Sequence, residues 1–103
     1  MNIIRITTTK TAREKNEHAL YNLDFTITDG VLERVLATIY DPSTNPDSDD
    51  APIFIGTITY ESEQVFCSLP GRASIAELMA DFEEFMTEIQ TFVASETEAE
   101  KNK

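Results

Sequence analysis

The sequence predicts an α+β domain in which an antiparallel β-meander of about five strands, forming two hairpins, is packed by one long C-terminal amphipathic helix. Apolar and polar residues alternate with a period of two from Tyr21 to Thr28, which is the pattern of a strand with one buried face. Further along, apolar residues between Ile75 and Val93 recur at helical spacing. The length of 103 residues fits one core, and we assign residues 1–94 to a single domain.

The beginning of the chain predicts a strand and then a polar connection. Residues 2–9 are rich in isoleucine and threonine, whose branched side chains suit a pleated sheet. Residues 10–18 are mostly charged and amide residues without an apolar anchor. We therefore interpret them as a solvent-exposed connection or a short helical turn.

A hairpin is predicted at Asp29-Gly30, between the strand of residues 21–28 and a returning strand over residues 31–40. Asp-Gly between two alternating segments is a strong hairpin signal, because glycine accepts a positive φ without a Cβ clash. The second strand must then run antiparallel to the first.

The register of this hairpin follows from the faces that it creates. A three-residue loop that begins at Thr28 places Asp24 opposite Arg34, which is a favourable cross-strand charge pair. A two-residue loop would instead set Phe25 against Arg34. We therefore prefer the three-residue loop, in which a type I turn is followed by a glycine in the left-handed position.

A second hairpin is predicted after an acidic loop. Residues 41–51 are turn formers and carboxylates that bury nothing, so we expect an exposed loop. Residues 53–60 and 65–69 have strand composition and are separated by a short polar turn. Gly56 lies inside the first of these strands, where glycine indicates a bulge or a closely approaching backbone.

The final helix has a clear start and an apolar stripe. Ser74 followed by Glu77 has the spacing of a capping box, which predicts that the helix begins at Ile75. The residues after Val93 include no large apolar side chain, and we expect residues 95–103 to form a disordered acidic and polar tail. The stripe comprises Ile75, Leu78, Met79, Phe82, Phe85, Met86, Ile89, Phe92 and Val93.

The predicted helix is too narrow for the predicted sheet. A helix about 10 Å wide cannot cover five strands that lie about 4.8 Å apart. Part of the apolar sheet face is therefore left over. We expect a homodimer that buries this remainder.

The net charge of −11 arises entirely after Tyr40, since the first 40 residues carry equal numbers of acidic and basic side chains. Such a surface repels nucleic-acid phosphates and anionic lipids and favours a partner with a basic surface. No apolar run approaches the roughly 20 residues of a membrane-spanning helix. Residues 1–9 lack the features of a signal peptide, so we expect a cytoplasmic location without membrane association.

Few residues offer catalytic or metal-binding chemistry. His18 is the sole histidine, and we interpret it as a surface residue rather than a catalytic base. Cys67 is the sole cysteine, and its apolar neighbours predict a buried thiol. One cysteine and one histidine cannot build a structural zinc site. The three glycines lie far apart and form no phosphate-binding loop, so we expect no cofactor.

Two groups of carboxylates could be functional, but a simpler interpretation fits each. The acidic loop has oxygen ligands at alternate positions, yet Asp50 stands where a calcium loop needs glycine and Gly56 where it needs glutamate. On the helix, Asp81 and Glu84 could act as an acid–base pair. We place them on a solvent-facing flank without a cleft, and we expect no enzymatic activity.

The sequence therefore indicates a non-enzymatic protein-binding or regulatory module with an acidic surface, which we expect to be dimeric. The acidic loop and one helix flank would meet the basic surface of a protein partner. The candidate partner-binding residues are Asp47, Asp49, Asp50, Glu77, Asp81, Glu84 and Glu88.

An alternative function follows from a resemblance in topology. The order of several strands and then a helix resembles that of single-strand-binding domains of the PC4 and Whirly kind, which use a curved sheet in a dimer. The resemblance implies a sheet that binds single-stranded nucleic acid. Its contact residues would be Lys10, Arg13 and Lys15, although the overall charge disfavours this function.

Overall fold

The chain forms five antiparallel strands in one open sheet, followed by a single helix. The computed structural model describes residues 6–43, 47, 51–71 and 74–101. The strands lie side by side in chain order, so the predicted α+β meander is confirmed. No helix in these described ranges is long and apolar enough to cross a membrane. The elements are β1 (Thr7–Lys15), β2 (Leu20–Thr28), β3 (Val31–Tyr40), β4 (Phe54–Glu61), β5 (Gln64–Ser68) and α1 (Ile75–Lys101).

The core lies between α1 and one side of the sheet, which we call the helix face; the other side is the open face. The alternation predicted for β2 is confirmed, because Tyr21, Leu23, Phe25 and Ile27 are buried. Each large apolar side chain buried in this way contributes about 1.5–3 kcal/mol. The helix start at Ile75 is also confirmed, with the Leu78 amide donating to the Ser74 carbonyl over 3.1 Å. The remaining large residues of the core cluster are Val35, Ile39, Ile58, Leu78, Phe82, Phe85, Ile89 and Val93.

The helix is described to Lys101, beyond the residue at which we ended the domain. Residues 102 and 103 lie outside the described part of the chain. The disordered state of the tail at residues 95–103 therefore stays a prediction.

The interpretation of residues 10–18 as a connection is wrong as far as Lys15, because β1 continues through them. The reason is that β1 is an edge strand, where one side of the backbone has no neighbouring strand to exclude water. Its helix-face positions are Thr8, Lys10, Ala12 and Glu14, of which Ala12 packs against the core. Charged residues are common on edge strands, since they discourage pairing with another chain. The alternation of apolar and polar residues that predicts a strand is missing here, because almost none of the β1 side chains on the helix face is apolar.

The predicted register of the first hairpin is also wrong. The turn consists of Asp29 and Gly30, with φ values of 52° and 81°, which is the two-residue type I′ form. We rejected a two-residue turn because, in regular strands, it would set Phe25 against Arg34. A register shift between Thr26 and Ile27 removes this mismatch. The shift brings Val35 opposite Phe25. A β-bulge thus allows a tight turn and an apolar face together.

The bulge changes the ion pair that we predicted across this hairpin. Arg34 does not pair with Asp24; its Nε lies 3.5 Å from Glu61 Oε2 on β4. Asp24 instead accepts a hydrogen bond from Thr11 Oγ1 at 2.8 Å on the open face. Both contacts are exposed, so each contributes little to stability.

Gly56 lies where the chain leaves β5 and passes over β4, and the predicted close approach of a backbone is confirmed. A Cβ atom at Gly56 would lie 2.2 Å from the Ser68 carbonyl oxygen and 2.9 Å from Leu69 Cδ2. A register shift beside this residue, between Ile39 and Tyr40, accompanies the approach. Only glycine leaves room for this crossing, which carries the chain from β5 towards α1.

The helix leaves β5 uncovered, and all five residues of this strand are exposed. Cys67 lies on it, so the prediction of a buried thiol is wrong. Its apolar neighbours Phe66 and Leu69 suggested burial, but Phe66 is 56% exposed and only Leu69 packs against the core. The narrowness of a single helix explains both observations.

Candidate functional site

Among the residues that the structure describes, the buried charged side chain is that of Asp81, a carboxylate at the junction between α1 and the turn that joins β1 to β2. Asp81 is only 8% exposed. Its Oδ2 accepts a hydrogen bond from Tyr21 Oη at 2.5 Å and from Asn16 Nδ2 at 3.0 Å, and it lies 3.0 Å from His18 Nδ1. The placement of Asp81 on a solvent-facing flank is therefore wrong. The β1–β2 turn folds over this side of the helix and covers it.

Asn16 shapes that turn and aims it at the helix. Its Oδ1 accepts hydrogen bonds from the backbone amides of His18 at 2.8 Å and Ala19 at 3.1 Å. Its own amide donates to the Ala19 carbonyl over 3.0 Å. Asparagine is favoured at such positions because its side chain can replace a backbone acceptor. The remaining donor, Nδ2, then points to Asp81.

Asp81 is held in its charged form by its three neighbours. Burial alone would raise the pKa of Asp81, but the hydrogen bonds with Tyr21, Asn16 and His18 together outweigh it and lower the pKa. Burial, and next the bond to Asp81, raise the pKa of Tyr21 well above its ordinary value, so this phenol stays a donor. The buried carboxylate is thus stabilised by converging donors, as a buried charge requires.

His18 closes the exposed side of this cluster. The hydrogen bond with Asp81 raises the pKa of His18; desolvation opposes this, and the charges of Asp81, Glu77 and Glu17 add to the increase. Since a carboxylate only accepts, Nδ1 carries the proton. Nε2 lies 3.7 Å from both Glu17 Oε1 and Glu77 Oε2. The imidazole therefore faces carboxylates and no nucleophile among these contacts. The four residues Asn16, His18, Tyr21 and Asp81 hold the β1–β2 turn against α1, and we call them the clamp.

We expect this clamp to make the protein more stable at about pH 6 than at about pH 8. Because folding raises the His18 pKa, its stabilising contribution is complete below the ordinary value and is lost as the pH rises through the folded value. Thermal unfolding followed by circular dichroism at both pH values measures the difference. His18 is the only histidine, so His18→Gln should reduce it. An equal pH difference in the wild type and in His18→Gln would contradict the assignment.

A groove runs between the edge strand β1 and the helix, next to the clamp. Its volume is about 320 Å³. Its apolar floor and walls come from Leu23, Phe25, Phe85, Ile89 and Phe92, and charged side chains stand at its rim. Lys10 places its Nζ 5.4 Å from the centre of the Phe92 ring, within the range of a cation–π contact.

The predicted site residues fall into separate places. Glu77 contacts the clamp through His18, and Glu88 lines the groove, whereas Glu84 is exposed on α1. Asp47 is exposed in the acidic loop, and Asp49 and Asp50 lie outside the described residues. The structure therefore brings Glu77 and Glu88 of the helix flank close to β1 and its turn, while Asp47 lies in the acidic loop.

The basic residues of the alternative function are divided between the two faces of the sheet. Lys10 lies on the helix face above Phe92. Arg13 lies on the open face, where its Nε donates to Asn22 Oδ1 at 3.3 Å, and Lys15 ends the strand. They do not form one continuous basic surface.

Sequence reasoning did not identify Asn16 and Tyr21 as parts of a polar site. Tyr21 was identified only as a core residue, and nothing in the pattern shows that its hydroxyl needs a buried acceptor. One signal was available, because Asp81 lies one residue from Phe82 on the apolar stripe. A carboxylate so close to a buried face is a candidate for burial with partners.

Comparison of the chain with known protein families, curated proteins and solved structures finds no match.

Proposed function

We propose that this chain is a non-enzymatic protein-binding module that acts as a homodimer, with β5 as its self-association edge. The observation that supports this proposal is the contrast between the two edges of the sheet. Edge strand β1 carries four charged side chains, whereas β5 carries none and exposes Val65 and Phe66. Charge protects an edge strand from pairing, so β5 is the unprotected edge.

A second copy of the chain fits this edge better than a basic partner does. With a net charge of −11, two copies repel each other over most of their surface. The uncharged residues Gln64–Ser68 form an edge that adds no charge to this repulsion. An antiparallel strand pair is also self-complementary, as a twofold dimer requires. A basic partner would find no charge to meet on β5.

The hairpin geometry selects the register of this pairing. Ser62 and Glu63 form a two-residue turn, so Gln64 and every second residue after it bond to β4. The backbone groups of Val65 and Cys67 therefore point to the outer edge. A pair centred on Phe66 uses the whole five-residue strand and sets Val65 opposite the partner's Cys67. A pair centred on Val65 or on Cys67 would include fewer residues of β5.

The dimer would be a continuous ten-stranded sheet with both helices on the same face. Glu77 and Glu88 lie on the side of α1 that faces β1, so the two acidic helix flanks would lie towards opposite ends of this sheet, one on each copy. Glu77, Glu84 and Glu88 remain the proposed contacts for a partner with a basic surface, together with the acidic loop. Binding of this kind should weaken as salt is added.

We expect sedimentation equilibrium at about 10–100 μM protein to show a dimer, and Phe66→Lys to shift it to a monomer. A lysine at the centre of the pair would oppose its own symmetry mate, and like charges directly opposite each other destabilise strand pairing. Thr9→Lys, on the exposed and already charged strand β1, is the matched control and should remain dimeric. A wild-type monomer throughout this range would refute the proposal.

Disulfide cross-linking tests the register separately. In the pair centred on Phe66, Val65→Cys would stand opposite the partner's native Cys67 at a separation of about 5.5 Å between Cα atoms, which a disulfide can span. Mild oxidation should give a covalent dimer of Val65→Cys and little of the wild type. Rapid cross-linking of the wild type would instead indicate a register centred on Cys67.

The alternative function, binding of single-stranded nucleic acid by the sheet, has less support. Its three basic residues lie on two faces, and the carboxylates of Asp24 and Glu61 share the open face with Arg13. Nucleic-acid affinity depends mainly on contacts between basic residues and phosphates. Fluorescence anisotropy of a labelled single strand at low salt, with the wild-type protein, tests this alternative.

A further inference from the structure

The groove between β1 and α1 combines an apolar floor with walls that carry two carboxylates and the Lys10 ammonium. Leu23, Phe25, Phe85 and Ile89 line it, and each of them belongs to the core cluster. Its volume of about 320 Å³ is at the lower end of the range of ligand pockets, about 300–1,000 Å³. A groove of this size suits one or two side chains of a partner.

The charges around the groove favour a cation. Glu14 contributes a carboxylate from the β1 wall and Glu88 one from the α1 wall. The Phe92 ring, which is 40% exposed, forms part of the same wall and already has the Lys10 ammonium above it. An aromatic face and two carboxylates attract a positive charge, and the Lys10 contact demonstrates that a cation fits at this ring.

We infer that this groove binds a basic amphipathic helix of a partner protein, with apolar side chains on the floor and a lysine or arginine between Glu14 and Glu88. Helices of this kind bind hydrophobic grooves through residues spaced three or four apart. The partner's cation would replace or join Lys10 at Phe92. The inference rests on the proposed function of protein binding and names the binding site and the chemistry of the partner, but it does not depend on the dimer.

The test uses two labelled peptides and the full chain. One peptide is a 14-residue amphipathic helix of leucine and lysine, and the other has the same leucine pattern with glutamate in place of lysine. We expect fluorescence anisotropy to show binding of the lysine peptide alone. Equal binding of both peptides, or of neither, would overturn the inference.

Two variants locate the binding in the groove. Glu14→Gln combined with Glu88→Gln should raise Kd roughly five- to tenfold, since exposed ion pairs contribute modestly. Phe92→Ala should raise Kd about tenfold by removing the aromatic wall. Glu14, Glu88 and Phe92 are all accessible at the surface. Circular dichroism of each variant verifies that it folds.

A charge-matched control separates the groove from general attraction to an acidic protein. Glu63→Gln combined with Glu83→Gln changes the net charge equally at exposed positions that do not line the groove. This control should bind the lysine peptide as the wild type does, and a loss equal to that of Glu14→Gln/Glu88→Gln would refute a defined site. The monomeric variant Phe66→Lys should keep full peptide affinity, so failure of the dimer and failure of the groove can be distinguished.

Discussion

Replacing Asp81 by alanine is expected to lower the free energy of unfolding by about 1–3 kcal/mol, which is a substantial part of the stability of a small domain. The side chain accepts bonds from Tyr21, which has no solvent exposure, and from Asn16. Without the carboxylate, a buried donor left unsatisfied costs about 1–3 kcal/mol. Alanine has the higher helix propensity, which offsets only about 0.5 kcal/mol. Urea denaturation followed by circular dichroism measures the change.

A double-mutant cycle tests whether the loss comes from the clamp. Tyr21→Phe alone should cost about 1 kcal/mol, because it removes one donor and keeps the ring. Added to Asp81→Ala, it should cost little or recover stability, since the hydroxyl then has no acceptor to lose. Glu84→Ala, at an exposed position on the same helix, should have a small effect. Additive losses at Tyr21 and Asp81 would show that the two side chains do not act together.

The elements with one wet and one buried face were predictable from the sequence. In β2 each buried residue alternates with a polar one, and in α1 the apolar stripe follows the helical period, so burial itself is encoded in the pattern. Edge strand β1 is different, because only Ala12 among its residues packs against the core. The strand is held by hydrogen bonds to β2, which depend on the backbone and leave no trace in residue type.

The register and the clamp could not be predicted for a related reason. The bulge near Thr26 lets a two-residue turn coexist with the pairing of Phe25 and Val35, and a rule that counts residues along two regular strands misses it. The burial of Asp81 depends on a turn 60 residues or more away in the sequence, brought over the helix by the sheet. Local patterns describe which face of an element is apolar, whereas tertiary packing decides which polar group is enclosed beside it.

Gly56→Ala is expected to lower the free energy of unfolding by about 3 kcal/mol. The new methyl group would lie 2.2 Å from the Ser68 carbonyl oxygen, and a backbone atom cannot rotate away as the end of a side chain can. Relief therefore requires the end of β5 to move off β4, and overpacking of this kind costs about 1–3 kcal/mol or more. Urea denaturation measures the loss of stability.

Gly71→Ala provides the matched control for this prediction, because a Cβ atom there would meet nothing within 4 Å. The substitution removes conformational freedom from the unfolded chain, so Gly71→Ala should be neutral or stabilising by about 0.4–1 kcal/mol. The two glycines thus predict effects of opposite sign from the same chemical change. Since Gly56→Ala displaces β5, it should also weaken the dimer in sedimentation equilibrium, whereas Gly71→Ala should not. If Gly56→Ala were destabilised but dimerised as tightly as the wild type, the displacement of β5 would have no effect on dimerisation. That result would count against β5 as the dimer interface.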